Sequence, residues 1–146
     1  MLVKPIAIAS DHAGFELKAV LKETLEEMGY AVLDLGTDSR ESVDYPDFAD
    51  ALAEAFHQGL VDRGVLVCGS GLGISIAANR HRVLRATPCH DEKWAQLARQ
   101  HNDANVLALG ARLIDEDAAK ACLKFFLETP FEGGRHERRV QKLSPR

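Results

Sequence analysis

Cysteine is scarce in this chain of 146 residues: there are three, Cys68, Cys89 and Cys122, widely spaced and without a CxxC pair. An odd count at such spacing excludes a disulfide framework and a zinc ribbon, and unpaired thiols point to a reducing compartment, the cytoplasm. No run of about 18 apolar residues is present to span a bilayer, and the N-terminus lacks the apolar region of a signal peptide. The charge is nearly balanced, at −4, which speaks against nucleic acid as a partner. Aromatics make up only 6%, and Tyr45 and Trp94 stand too far apart to form a stacking platform for bases. No His/Cys/Asp cluster has metal-ligand spacing, so no metal is expected. No internal repeat or low-complexity linker divides the chain. What remains is 46% apolar and 27% charged, an ordinary composition for a globular protein whose length, residues 1–146, suits one domain.

Short apolar runs alternate with helical periodicity. Pro5-Ile6-Ala7-Ile8-Ala9 reads as a strand, followed by a helix over 15–28 with apolar residues at Leu17, Val20, Leu21, Leu25 and Met28. Ala31 to Leu35 is a second strand. A polar loop over 36–45 leads to a helix that Pro46 opens, since proline suits a first turn. Gly64 to Val67 is a third strand and Ile74 to Arg80 a short helix of small residues. Val83 to Pro88 is a fourth strand, followed by a helix over 91–101 with Trp94, Leu97, Ala98 and His101 on one stripe. Asn105 to Leu109 is a fifth strand. A helix over 115–128 follows, acidic at its start, and Pro130 stops it. A basic helical tail, about 133–146, closes the chain. This alternation predicts an α/β fold: a three-layer αβα sandwich on a five-stranded parallel sheet, Rossmann-like.

The chain is organised around Gly64-Val65-Leu66-Val67-Cys68-Gly69-Ser70-Gly71-Leu72-Gly73-Ile74-Ser75. Three glycines at alternate positions remove the Cβ atoms where strand turns into helix, so backbone N–H groups can approach a ligand. A helix start adds unpaired N–H donors and a positive dipole end. An oxygen that becomes negative during a reaction is stabilised there, and Cys68, at the lip of the loop, is favoured as a thiolate. The alternative is a buried packing cysteine. Ile74 breaks a GxGxxG fingerprint, no P-loop Lys follows, and Gly69-Ser70-Gly71 is too short for a GxSxG elbow.

Three further clusters could carry chemistry. Asp11-His12 follows the first strand and either binds a ligand or caps the next turn. His101, in Gln100-His101-Asn102-Asp103, is either a core histidine or a proton carrier near neutral pH. Arg135, Arg138, Arg139 and Lys142 share roughly one face if the tail is helical, and form either a phosphate clamp or a solvated surface. Arg112 follows the fifth strand, at the sheet end where such folds bind ligands.

Five motifs in order resemble the ribose-5-phosphate isomerase B family, which also holds galactose-6-phosphate and allose-6-phosphate isomerases. They are Ser10-Asp11-His12-Ala13-Gly14, Asp44-Tyr45-Pro46, Cys68 through Asn79, Arg99-Gln100-His101-Asn102-Asp103, and Glu132-Gly133-Gly134-Arg135-His136-Glu137-Arg138-Arg139-Val140. The resemblance implies an aldose–ketose isomerase that interconverts D-ribose 5-phosphate and D-ribulose 5-phosphate through an enediolate, in the non-oxidative pentose phosphate pathway, without a cofactor. It implies Cys68 as the base, because one branch of the family uses a Glu where this chain has Ser75. It implies that His101 assists ring opening and that Ser70 steadies the thiolate. Asp11, His12, Tyr45, Gly69, Ser70, Gly71, Leu72, Gly73, Asn102, Arg112, Arg135 and Arg139 are then substrate-binding, with His12, Arg135 and Arg139 toward the phosphate. A homodimer, or a dimer of dimers, with sites shared between subunits is implied as well. A sensor that binds a phosphosugar without turnover is the competing reading, and would need no base.

Overall fold

The structure, a computed structural model, describes residues 3–144. Its sheet is parallel and five-stranded, in the order β2-β1-β3-β5-β4. The strands are β1 (Ile6–Ser10), β2 (Val32–Asp34), β3 (Gly64–Cys68), β4 (Ala86–Pro88) and β5 (Val106–Gly110). Between and after them come α1 (Phe15–Glu27), α2 (Tyr45–His57), α3 (Leu72–Asn79), α4 (Glu92–Asn102), α5 (Glu116–Glu128) and α6 (Arg135–Leu143). The expected α/β sandwich is present. Strands β1, β3 and β5 are buried along their whole length. Successive side chains point to opposite faces, so each strand feeds two cores. Ile6, Ile8, Val65, Val67, Leu107 and Leu109 face α1, α4 and α5, while Ala7, Ala9, Leu66, Cys68, Val106 and Ala108 face α2 and α3.

Helix α1 buries Leu17, Leu21 and Leu25, and with them Lys18, whose Nζ lies 2.6 Å from Asp34 Oδ1 at the end of β2. Partial burial pushes the Asp34 carboxyl up. The Lys18 hydrogen bond, the Gly36 amide and the charges of Lys18 and Lys22 outweigh this and hold it below the usual carboxylate range. Asp91 and Asp115 cap α4 and α5 by accepting from Trp94 N–H at 2.9 Å and Ala118 N–H at 2.8 Å, which satisfies donors the first turn leaves open.

The structure corrects two expectations. The fourth strand starts at Ala86 rather than Val83. Over Val83–Arg85 the backbone bonds instead to the Asn105 side chain, which accepts from Arg85 N–H at 2.7 Å and donates to the Val83 carbonyl at 2.8 Å. Helix α4 does not bury the Trp94–Leu97–His101 stripe. Ala95 and Ala98 face the core, while Trp94 and Leu97 are 49% and 37% exposed. Small side chains let α4 lie close to α5, and the bulky ones are turned outward. The basic tail is helical over Arg135–Leu143; residues 145–146 of the expected tail, and residues 1–2, lie outside the described residues.

Candidate active site

Strand order reverses between β1 and β3. The chain leaves β1 through α1 toward one edge of the sheet and leaves β3 through α3 toward the other. A crevice therefore opens at the carboxyl ends of these two strands, and one group of expected site residues gathers there.

Cys68 ends β3 and is 4% exposed, deeper than the lip position expected. Its Sγ accepts the Gly71 N–H at 3.2 Å. Gly71 holds φ +78°, a conformation that suits glycine, and precedes the first residue of α3. Ser70 Oγ accepts the Leu72 N–H at 3.2 Å, and Leu72 itself is exposed. The next amides, of Gly73 and Ile74, belong to the first turn of α3, whose N–H groups have no partner within the helix. Ser75 is buried, and its Oγ donates to the Leu72 carbonyl at 2.8 Å.

The loop is closed in by its neighbours. A Cβ on Gly73 would meet the Tyr45 ring at 2.6 Å, and one on Gly69 would meet Arg112 Nη1 at 2.9 Å. Tyr45, the first residue of α2, and Arg112, just beyond β5, thus flank the glycines. Gly110, at the end of β5, takes part too, since a Cβ there would meet the Ser70 backbone at 2.5 Å. Nothing local in the sequence marks Gly110, because its approach to Ser70 comes from the pairing of β3 with β5.

Asp11 caps the turn His12–Gly14, its Oδ1 accepting Gly14 N–H at 3.1 Å. His12 Nδ1 accepts Val43 N–H at 3.1 Å. That leaves the proton of the neutral ring on Nε2, free to donate.

The second group lies elsewhere. His101 and Asn102 end α4, and Arg135 and Arg139 sit on the exposed face of α6; together with His136, Val140 and Leu143 they line one groove. Helix α4 ends where the strands begin, because Asn105, three residues on, accepts Gly64 N–H at 2.9 Å at the start of β3. Cys68 lies four residues further along that strand, about 13 Å away at the usual rise. Within one copy the structure does not bring His101, Asn102, Arg135 and Arg139 to Cys68. His101 is half-buried, neither a core residue nor freely exposed.

His136 was not singled out from the sequence. Its ring stacks on His101 with centroids 4.3 Å apart and planes 15° from parallel. Burial, the neighbouring His101 and the Arg135 and Arg139 charges hold it below the ordinary histidine value, against the opposing pull of Glu132. His101, Glu132 and His136 bring potential ligand atoms within 4.8 Å of one another. A metal is bound in the plane of each imidazole, however, and two nearly parallel rings cannot aim both lone pairs at one ion. The other two thiols are spectators: burial pushes Cys89 up to about 11 and Cys122 up to about 12, so neither supplies a thiolate near neutral pH. Among the described residues no helix is long and apolar enough to cross a membrane.

Comparison with known proteins agrees with this architecture. Residues 6–143 match the model of the Ribose/Galactose Isomerase family. The chain is 46% identical over 142 residues to ribose-5-phosphate isomerase B of Escherichia coli, covering 97% of this chain and 95% of that protein. A crystal structure of a ribose 5-phosphate isomerase from Thermotoga maritima superposes with a TM-score of 0.94 at 52% identity, covering 99% of both chains. Ribose-5-phosphate isomerase B from Clostridium thermocellum gives 0.94 at 48% identity, covering 96% of this chain and 95% of that one. The chain is an enzyme of the ribose/galactose isomerase family, alongside its type B ribose-5-phosphate isomerases.

Proposed function

We propose that the chain interconverts D-ribose 5-phosphate and D-ribulose 5-phosphate through an enediolate, with Cys68 as the base. The observation that carries this reading is the Cys68 sulfur at the end of β3, accepting the Gly71 N–H at 3.2 Å beside the amino end of α3. An amide donor and a helix start are surroundings in which a thiolate acts. Ser75, where another branch of the family has its carboxylate base, is tied to the Leu72 carbonyl, which leaves the sulfur as the base of this loop.

The steps follow from the open-chain aldose. Cys68 takes the proton from C2; the released electron pair forms the C1–C2 double bond, and the carbonyl oxygen on C1 becomes an anion. The first-turn amides of α3 stabilise that anion. The same sulfur returns the proton to C1, and the C2 hydroxyl proton passes to the C1 oxyanion, which becomes a hydroxyl as C2 becomes the carbonyl. Both hydrogens move within one molecule, so the reaction needs no electron acceptor. Ser70 steadies the sulfur. Asp11, His12, Tyr45, Asn102, Arg112 and the loop Gly69–Gly73 hold the sugar, while Arg135 and Arg139, with His12 Nε2, take the phosphate, whose binding energy keeps a small flexible substrate in place. For the furanose, His101 carries the proton from the C1 hydroxyl to the ring oxygen.

This assignment calls for two copies of the chain. His101 and Asn102 stand at the far end of the sheet from Cys68 in one copy, and a homodimer that sets α4 and α6 of one subunit over the crevice of the other completes the site. A thiol base must stay reduced, which fits the cytoplasm and the pentose phosphate pathway. The test is ketose formation from ribose 5-phosphate, with allose and galactose 6-phosphates as comparison substrates. Binding of ribose 5-phosphate without product would favour a sensor instead.

A further inference from the structure

The steps above give His136 no part. We infer that His136 is a positioning residue for His101: its ring covers one face of the His101 imidazole, restricts its rotation and leaves the rest of it on the groove that Arg135 and Arg139 line. This rests on the reading of His101 as the group that opens the sugar ring.

The stack is built into the backbone. Arg99 Nε donates to the Thr129 carbonyl at 3.1 Å and Glu132 N–H donates to the Gln100 carbonyl at 3.1 Å. These two bonds fasten the segment between α5 and α6 to the last turn of α4, the turn that carries His101. His136 N–H then donates to the Gly133 carbonyl at 3.1 Å, where Gly133 and Gly134 both hold positive φ and swing the chain into α6. The rings end 4.3 Å apart and nearly parallel. A side chain so placed blocks the χ2 rotation by which an imidazole on a helix end would lose its aim.

Two features argue against mere space-filling. The His136 ring is nine-tenths buried, and its Nε2 has no hydrogen-bond partner among the described residues, with Glu132 Oε1 at 3.6 Å. Leaving a buried nitrogen unpaired costs free energy that an apolar side chain of similar size would not incur. The flat face is what His offers and Leu does not. In addition, burial, the neighbouring His101 and the charges of Arg135 and Arg139 disfavour a positive charge on the His136 ring, against the pull of Glu132.

The test measures kcat and KM for ribose 5-phosphate in the intact protein with His136→Leu, His136→Phe, His101→Asn and the double variant His101→Asn/His136→Leu. Misaiming a proton carrier lowers the rate rather than the affinity, so His136→Leu is expected to lower kcat about tenfold with KM within about twofold. His136→Phe restores a flat ring and most of kcat. In the His101→Asn background, His136→Leu has no further effect, because a residue acting through His101 has nothing left to act on. Wild-type kcat in His136→Leu, an equal loss in His136→Phe, a loss confined to KM, or an additive loss in the double variant each overturns the inference. If His136→Leu does not fold, His136→Gln removes the ring under the same expectations. Undiminished turnover in His101→Asn would sink the underlying role of His101; a depleted His101→Asn beside a full-rate His136→Leu sinks the stack alone.

Discussion

Cys68 and His101 stand at opposite ends of the parallel sheet in a single copy of the chain: Cys68 closes β3, whereas His101 sits in the last turn of α4, where the strands begin. A reaction that uses both therefore draws them from different subunits. Mixing Cys68→Ala and His101→Asn proteins, each strongly depleted in turnover when alone, tests this directly. After subunit exchange half of the dimers are mixed and each mixed dimer holds one intact site, so turnover recovers to about 25% of the wild-type level. No recovery after exchange, verified by mass spectrometry of differently tagged subunits, contradicts the shared site.

Removing the sulfur separates chemistry from binding. Cys68→Ala is expected to lower kcat by at least about 10³, with the dissociation constant of ribose 5-phosphate changed by less than about threefold. Calorimetric titration and a ketose assay on the same preparation report the two quantities. Turnover near wild type in this variant removes Cys68 as the base.

Arg139 belongs to the groove beside His101, on the exposed face of α6. Arg139→Ala loses a charge-assisted contact to the phosphate and should raise KM about tenfold or more, while kcat falls less. An unchanged KM would exclude Arg139 from phosphate binding.

Gly110 sits under the glycine loop Gly69–Gly73 without contributing a side chain. In Gly110→Ala the new methyl group would lie 2.5 Å from the Ser70 backbone, and backbone cannot yield as a side-chain tip can. The loop must shift or the strand pair must open, at a cost of about 1–3 kcal/mol. A fall in melting temperature together with loss of kcat is expected; a variant with native stability and rate would show that the loop tolerates displacement.

Lys18 and Asp34 give the fold a pH-dependent element. The Lys18 side chain is only 5% exposed and has its counter-charge at 2.6 Å. Asp34→Asn leaves that ammonium without a carboxylate and should cost about 2–3 kcal/mol in urea unfolding at pH 7. Because the folded carboxyl lies below its unfolded value, its contribution is present above the unfolded pKa of about 4 and is lost as pH falls through the folded one. The wild-type advantage over Asp34→Asn should therefore shrink in acid; a difference that stays constant down to pH 2 would contradict the linkage.

Much of the molecule is local chemistry and could be read from the chain. The apolar runs at Ile6, Gly64 and Asn105, the aspartates that cap α4 and α5, and the glycine loop after Cys68 each depend on a few neighbouring residues. Their propensities agree with the final fold, so the alternation of strands and helices and the sheet end that carries the glycine loop were legible. Where side chains from distant segments compete, reading failed. The periodic stripe of α4 predicts Trp94 and Leu97 inside, but the close packing of α4 against α5 buries only Ala95 and Ala98. Val83 to Arg85 look like strand until Asn105 claims their backbone.

The order of residues by itself determined the alternating strands and helices, the cysteine on a glycine turn and the family to which both belong, because these depend on spacing along the chain. Only the tertiary structure decided that Gly110 supports Ser70, that His136 lies on His101, and that His101 and Cys68 face away from each other. Those relations are set by strand order, pairing register and helix packing, which join residues far apart in sequence and leave no periodic trace in it.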